Sequence, residues 1–397
     1  MAGHVKKRGE GRWRARHPDP LKGGTAQIER TFKTKGAADE WLDAMRTNVR
    51  QGAGAYVSPN DAERTFGEVA AEWRSTWVKL APKTKAGYEA ILNRHVLPRF
   101  GNAKLGAISP AAVQAYVTAL ATPVEDGGEG KAHNTVRRIY SVTQAVFARA
   151  VQLRYLAVSP CDAVVLPADG RAPVDQVVLT HEEVRALADE IDPHYRLLVL
   201  TAAYTGMRSG ELRALRRGRV IRATVHVKEA LKEVHSSSEH IAARDKGLIF
   251  GPTKTHAERA ISLPDFLRVE LEAHLAGPLP GGAGPQALLF TTPSGTPIRQ
   301  SLFYRRVFKP AVYRALPAEK HGLRFHDLRH TCATLLVAAG VHPLAIKQRL
   351  GHKDIQMTMN VYGHLFPSAE AALADVLDAG YDQAAAPTNV TPLRAAS

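Results

Sequence analysis

RFHDLRHTCATLLVAAGVHPLAIKQRLGHKDIQMTMNVYGH, residues 324–364, is the stretch on which the reading of this chain turns. In a helix, positions i, i+3 and i+4 share one face, so His326, Arg329 and His330 project together. Leu350-Gly351-His352 follows, and Tyr362 comes ten residues after His352. Two histidines at i, i+4 are also a metal-ligand spacing. A zinc-protease helix needs Glu directly after its first His. Here that position is Asp327, one carbon shorter, and an arginine on the same face would repel a dication. Residues 340–351 by themselves resemble the core of a helix-turn-helix, which would suit a non-catalytic DNA-binding regulator.

Two upstream segments join this one. In Thr205-Gly206-Met207-Arg208-Ser209-Gly210-Glu211-Leu212 an apolar helix is expected to end at Gly206 and a new one to begin near Ser209. Arg208 then sits at a helix N-terminus, where free N–H groups, the dipole and a guanidinium together favour an anion. In Gly251-Pro252-Thr253-Lys254-Thr255, Lys254 lies on a turn between residues 248–250 and a returning strand, Ala260-Ile261-Ser262-Leu263-Pro264. Residues 220–227 are β-branched and alternate as one strand does.

Outside these segments the chain is strongly basic. It has 397 residues, with 53 Lys/Arg against 38 Asp/Glu, a net charge of +15 and a pI near 9.8. At roughly 100–200 residues per domain, two or three domains are expected. The 45% apolar content excludes a wholly disordered or collagen-like chain. No apolar run approaches the roughly 18–20 residues that cross a bilayer. Residues 1–16 are basic without an apolar segment, unlike a secretory signal. Two cysteines, Cys161 and Cys332, are too few for a disulfide framework or a cysteine zinc site and suit a reducing cytoplasm. The charge points to a polyanion, most simply nucleic acid.

The charge is unevenly spread. Residues 1–50 hold twelve Lys/Arg and six Asp/Glu, a net of +6. Trp13–Arg16 and Ile28–Phe32 alternate as short strands with a Pro/Gly turn between them, and residues 34–50 turn helical. Residues 51–61 read as a linker. Residues 65–161 look all-helical, with Phe66, Val69, Ala70, Trp73 and Trp77 at helical spacing and further helices over 84–96, from Pro110, and over 134–155. The last has an apolar stripe of Val136, Ile139, Tyr140, Val146, Phe147, Ala150 and Val151. From Lys131 to Pro160 there are five basic residues and no acidic one, which points to a DNA-facing surface. A second linker is expected over 160–173, and a disordered tail after Tyr381.

The ordered set of Arg, His-x-x-Arg, Gly-His and Tyr resembles the tyrosine recombinases, the phage-integrase family that includes lambda-type integrases and Xer proteins. The resemblance is close over residues 175–380. Arg208 matches the family's first catalytic arginine, and Glu211 that box's acidic supporting residue. Lys254 matches the β-hairpin lysine in preference to Lys232 or Lys246, His326 and Arg329 the His-x-x-Arg pair, His352 the later histidine, and Tyr362 the nucleophile. His330 has a structural or supporting place. The interval from His352 to Tyr362 is one residue longer than in many members.

This resemblance implies an α+β multidomain chain: a small β-sheet-plus-helix arm-type DNA-binding domain over 1–58, an all-α, SAM-like core-binding domain over 64–160, a mainly α catalytic domain with a small β-sheet or hairpin over 174–381, and a tail over 382–397. It implies a site-specific DNA recombinase, an integrase that works through a 3′-phosphotyrosine with no metal, ATP or other cofactor. Arg208 and Arg329 would hold the phosphate, Lys254 would be the general acid, His326 would assist proton transfer at Tyr362 or bind the phosphate, and His352 would donate to a phosphate oxygen. The implied partners are double-stranded DNA at core and arm sites, three further copies of the chain, an excisionase or directionality factor and a host DNA-bending protein, with no membrane. The implied location is a bacterial host's cytoplasm, at the nucleoid. A Xer-like or transposon resolvase is the alternative within the same chemistry.

Overall fold

The computed structural model describes residues 3–9, 11–18, 27–50, 63–168, 176–234, 247–254, 258–278, 280–363, 378 and 381. The linker expected over 51–61 and the tail over 382–397 lie outside the described residues, as do residues 169–173 of the second linker. The chain is α+β: helices predominate and the sheets are small and antiparallel. It divides into two compact units, mainly residues 1–172 and 173–397.

The first unit begins with strands β1 (His4–Gly9), β2 (Arg12–Pro18) and β3 (Gln27–Phe32), in the order β1-β2-β3. Helix α1 (Lys35–Arg50) covers one face, burying Leu42 and Met45 with Ala15, His17 and Ile28 of the sheet. The period of two leaves Lys6, Arg14 and Thr31, which are register partners, on the other face. The apolar pattern did not signal β1, because Val5 is the only β-branched or large apolar residue in HVKKRG. Its partner β2 supplies the pairing instead.

The helical part comprises α2 (Phe66–Ser75), α3 (Pro82–Ile91), α4 (Leu97–Phe100), α5 (Pro110–Ala121) and α6 (His133–Gln152). A reciprocal cap between Thr65 and Glu68 starts α2. The helix read over 84–96 begins instead at Pro82 and passes into a π turn at Leu92–Val96. Pro98 has no N–H for the carbonyl of residue 94, and the wider turn keeps Leu92 and Val96 fully buried. The α6 stripe is the spine of this core. Phe147 meets Phe66 edge-on at 5.1 Å, and Phe66 in turn packs on Phe100.

The second unit places helices α7 (His181–Glu190), α8 (Pro193–Thr205) and α9 (Ser209–Ala214) before five strands: β4 (Val220–Ile221), β5 (Thr224–Val227), β6 (Glu229–Glu233), β7 (Leu248–Pro252) and β8 (Arg259–Ser262). Helix α10 (Asp265–Ala276) follows, then α11 (Gln300–Phe303), α12 (Lys309–Ala315), α13 (Asp327–Ala338), α14 (Pro343–Leu350) and α15 (Ile355–Tyr362). Its core gathers α7, α8, α10 and α12 around Leu198, Leu267, Phe308 and Leu328.

Two strand readings change. Residues 220–227 form a tight hairpin and not one strand: Ile221 pairs with Thr224, and Arg222 turns the chain at φ 52°. Lys254 does not join two mutually paired strands. Before it, β7 pairs with β6; after it, β8 pairs with β5. Glu229 opposes Pro252 and Val227 opposes Arg259, so the two pairings are separated by Lys228 alone on one side and by a break of six residues in sequence on the other. Lys254, the second of those six, lies outside both ladders.

Truncating the spine of the helical core tests the packing account. Phe147→Ala should cost about 3–5 kcal/mol of stability, against under about 0.5 for an exposed change such as Arg138→Ala. Equilibrium denaturation monitored by tryptophan fluorescence measures both. Equal effects would contradict the assignment of Phe147 to the core.

Candidate active site

The apolar helix α8 ends at Gly206, which adopts a left-handed conformation (φ 65°) that a side chain would strain. A Cβ at Gly206 would also fall 2.5 Å from Leu350 Cδ2. Helix α14 ends in the same way at Gly351, φ 68°. Each glycine carbonyl holds an arginine. Arg329 Nη1 donates to Gly206 O at 2.6 Å, and Arg208 Nη2 donates to Gly351 O at 3.1 Å. The negative ends of two helices therefore orient two guanidiniums.

Arg208 is the N-cap of α9, as its sequence position suggested, and Glu211 stands three residues along. The Glu211 carboxylate accepts from the Arg208 backbone N–H at 2.9 Å and from Arg208 Nη1 at 3.0 Å. Its other partner is Arg259, whose Nη1 and Nη2 donate to Oε1 and Oε2 at 3.1 and 2.6 Å. Glu211 is 1% exposed. Burial would raise its pKa, but the Arg259 hydrogen bonds and charge, reinforced by Arg208, bring it below the usual carboxylate range.

Arg259 was not among the residues singled out from sequence. One signal was present: Arg259, Ile261 and Leu263 share the inward register of the returning strand, and a cation on that side needs a buried partner. Residue 211 is distant in sequence, so nothing local named it.

On α13, His326 is the N-cap, and Asp327 accepts from the backbone N–H and guanidinium of Arg324. The rings of His326 and His330 meet edge-on at 5.4 Å, the shared face expected of i and i+4. Arg329 is buried, and its Nη2 has no hydrogen-bond partner among the described residues. Burial first, and then the neighbouring Arg208 charge, push its pKa down to about 9. It stays a cation at neutral pH, but one short of negative charge.

Tyr362 ends α15 and is buried with Ala333, Val337, Ile346 and Leu350. The segment resembling a helix-turn-helix thus turns its apolar residues onto Tyr362. The hydroxyl lies 2.7 Å from His330 Nδ1. His330, and not His326, is therefore the imidazole at the tyrosine oxygen. His352 Nδ1 contacts Thr358 Oγ1 at 2.9 Å, fixing its ring on α15. Lys254 is exposed in the break between β7 and β8, with no hydrogen bond to Arg208, Arg329, His352 or Tyr362 among the described residues.

The electrostatics are uniform. Burial, then His330 and Arg329, hold His326 down to about 4, and burial, then Arg329 and Arg208, do the same to His352. Burial lowers His330 as well. Burial raises the Tyr362 phenol, and Arg329 partly opposes this. Neutral imidazoles close to the buried Arg329 guanidinium, with the Tyr362 hydroxyl on His330, make a setting suited to an anion.

The chain matches known families in three places. Residues 177–368 match the phage integrase family, 65–121 the N-terminal SAM-like domain of phage integrases, and 1–51 the phage integrase N-terminal domain. It is 30% identical over 303 residues to the integrase of Mycobacterium phage FRAT1, spanning 72% of this chain and 81% of that one. It is 28% identical over 368 residues to the integrase of Mycobacterium phage D29, spanning 90% and 91%. Its fold is similar to that of the Tn1549 transposon integrase in complex with a circular intermediate DNA. The TM-score is 0.64 at 19% identity, over 79% of this chain and 99% of that one.

The depressed histidines set a pH dependence. Unfolded histidine titrates near 6.5, and His326 and His352 only at about 4 when folded. Between those values the unfolded chain binds more protons, so stability present above pH ~6.5 is lost as pH falls toward ~4. Thermal melts from pH 7.5 to 4.5 should show a falling midpoint, and His352→Gln should flatten that fall. An identical slope in the variant would contradict the buried neutral imidazole.

Proposed function

The chain belongs to the phage integrase family of tyrosine recombinases, enzymes that cleave and rejoin DNA, and from that membership and the geometry at Tyr362 we propose how its residues divide the work. The single observation that carries the reading is the Tyr362 hydroxyl against His330, beside Arg329 with a buried, unmatched donor. Cleaving a phosphodiester by a phenol needs charge stabilisation on the two non-bridging oxygens, a base for the phenol and an acid for the leaving oxygen.

Arg208 and Arg329 bind the non-bridging oxygens of the scissile phosphate, and His352 donates to one of them. His330, neutral in the free protein, takes the Tyr362 proton as the oxygen attacks phosphorus, while His326, edge-on to His330, adds to the phosphate's hydrogen bonds. The bond to the 5′ oxygen breaks, and Lys254 protonates that oxygen. The product is a 3′-phosphotyrosine and a free 5′ hydroxyl, so the bond energy is kept for rejoining without ATP. Glu211 takes no part in proton transfer and fixes Arg208.

Residues 64–160 and 174–381 grip core-site DNA, the first through the acid-free α6. Residues 1–58 read a second, arm-type site with the open face of the three-stranded sheet, where Lys6, Arg14 and Arg16 project away from α1. Four copies act on two duplexes through a Holliday junction, assisted by a directionality factor and a host DNA-bending protein, in the bacterial cytoplasm.

A nicked DNA substrate carrying the attachment core traps the covalent complex by losing the 5′ end. Wild type should accumulate it, and Tyr362→Phe should form none while binding the same DNA. Arg329→Ala should lose several kcal/mol of transition-state stabilisation, set against about 3–4 for one oxyanion donor. Covalent adduct from Tyr362→Phe would overturn the assignment.

Binding to arm-type DNA provides a separate test. Replacing Arg14 and Arg16 together by Ala should weaken it and flatten the plot of log affinity against log salt by roughly one unit per lost phosphate contact. Core-site affinity of the same variant should be unchanged. An unaltered arm-site slope would exclude this face.

A further inference from the structure

Helix α9, whose N-cap is Arg208, is fastened to strand β6 along its length. Gly210 allows the contact, since a Cβ there would stand 2.8 Å from Leu231 O. One turn on, Arg213 is 4% exposed and donates from Nη1 to Glu233 Oε1 at 2.5 Å and to Ile298 O at 3.0 Å. Glu233 also accepts from the Gln300 backbone N–H at 2.6 Å. Beyond the helix, Arg216 grips Glu229 with Nε and Nη2 and lies over the Phe250 ring at 5.2 Å. Both ends of β6 are thus tied to the segment that begins with Arg208. Strand β7 pairs with β6 over Glu229–Glu233, and the chain leaves β7 at Pro252, passes the buried Thr253 and presents Lys254.

A buried ion pair is weak evidence of stability, because desolvation offsets most of its attraction, whereas its fixed geometry can hold two elements in one register. Burying two charges here makes a rigid bracket between the residue that binds the phosphate and the strand pair that delivers the lysine. We propose that Arg213 and Glu233 are positioning residues for leaving-group protonation, setting Lys254 against the 5′ oxygen of the phosphate that Arg208 holds. The inference rests on the reading of Lys254 as the acid. In the step concerned, the Tyr362 oxygen–phosphorus bond forms, the phosphorus–5′ oxygen bond breaks, and the proton passes from the Lys254 ammonium to that oxygen, leaving a neutral amine.

The test compares two nicked substrates of one sequence under single-turnover conditions, with full-length protein. One has the ordinary 5′ bridging oxygen and the other a 5′ bridging sulfur, which leaves as a thiolate and needs no proton. Glu233→Gln should cleave the oxygen substrate about 10²-fold more slowly than wild type. It should cleave the sulfur substrate within about threefold of wild type. Lys254→Ala should show the same rescue, and Arg208→Lys should be slow on both. If Glu233→Gln is slow on both substrates, or unaffected on both, the positioning role is wrong. If Glu233→Gln is rescued and Lys254→Ala is not, the bracket serves another acid and the Lys254 reading falls alone. Should Glu233→Gln fail to fold, the paired change Arg213→Met with Glu233→Leu removes both charges at similar volume and is read in the same way.

Discussion

One buried carboxylate sets the terms for the second unit. Glu211 is out of water and holds Arg259 from β8 and Arg208 from its own helix. A lone buried carboxylate would cost several kcal/mol, so its place requires both guanidiniums. Through Arg208 the constraint reaches Gly351 and the end of α14; through Arg259 Nε it reaches the Arg349 carbonyl at 3.0 Å. The turn that brings His352 and then Tyr362 back to the centre is thereby fixed to the junction of α8 and α9. Arg208 and Arg259 share that carboxylate by direct hydrogen bonds and Arg329 only feels its charge, which leaves a positive surplus suited to an anion.

The site and the surface use the same residue types for different ends. Most of the positive charge on the described residues sits where water screens it. There it serves attraction to DNA, weakening as salt rises. Arg208 and Arg329 are partly or wholly withdrawn from solvent and oriented by glycine carbonyls at helix ends. Their interaction with a bound phosphate is screened far less.

Sequence made the local parts of this legible. Spacing placed Arg208 at a helix start, His326, Arg329 and His330 on one face, and the α6 stripe in a core, because each depends on residues within a turn or two. The order of the boxes pointed to Tyr362. Contacts across many residues were not legible: Arg259 with Glu211, His330 with Tyr362, and Arg213 with Glu233 are each made by tertiary packing. The strand pairs misled for a related reason. Alternation identifies a strand but not its partner, so β7 and β8 looked like one hairpin when each pairs with a different segment.

The claim that Glu211 organises the phosphate site is tested most directly by Glu211→Gln, which keeps the shape and removes the charge. The measurement is the single-turnover cleavage rate of a nicked core-site DNA, with its dissociation constant taken in parallel. The account predicts a rate lower by about 10²-fold or more, comparable to losing one preorganised donor, with affinity within about threefold of wild type. A cleavage rate equal to wild type would contradict it.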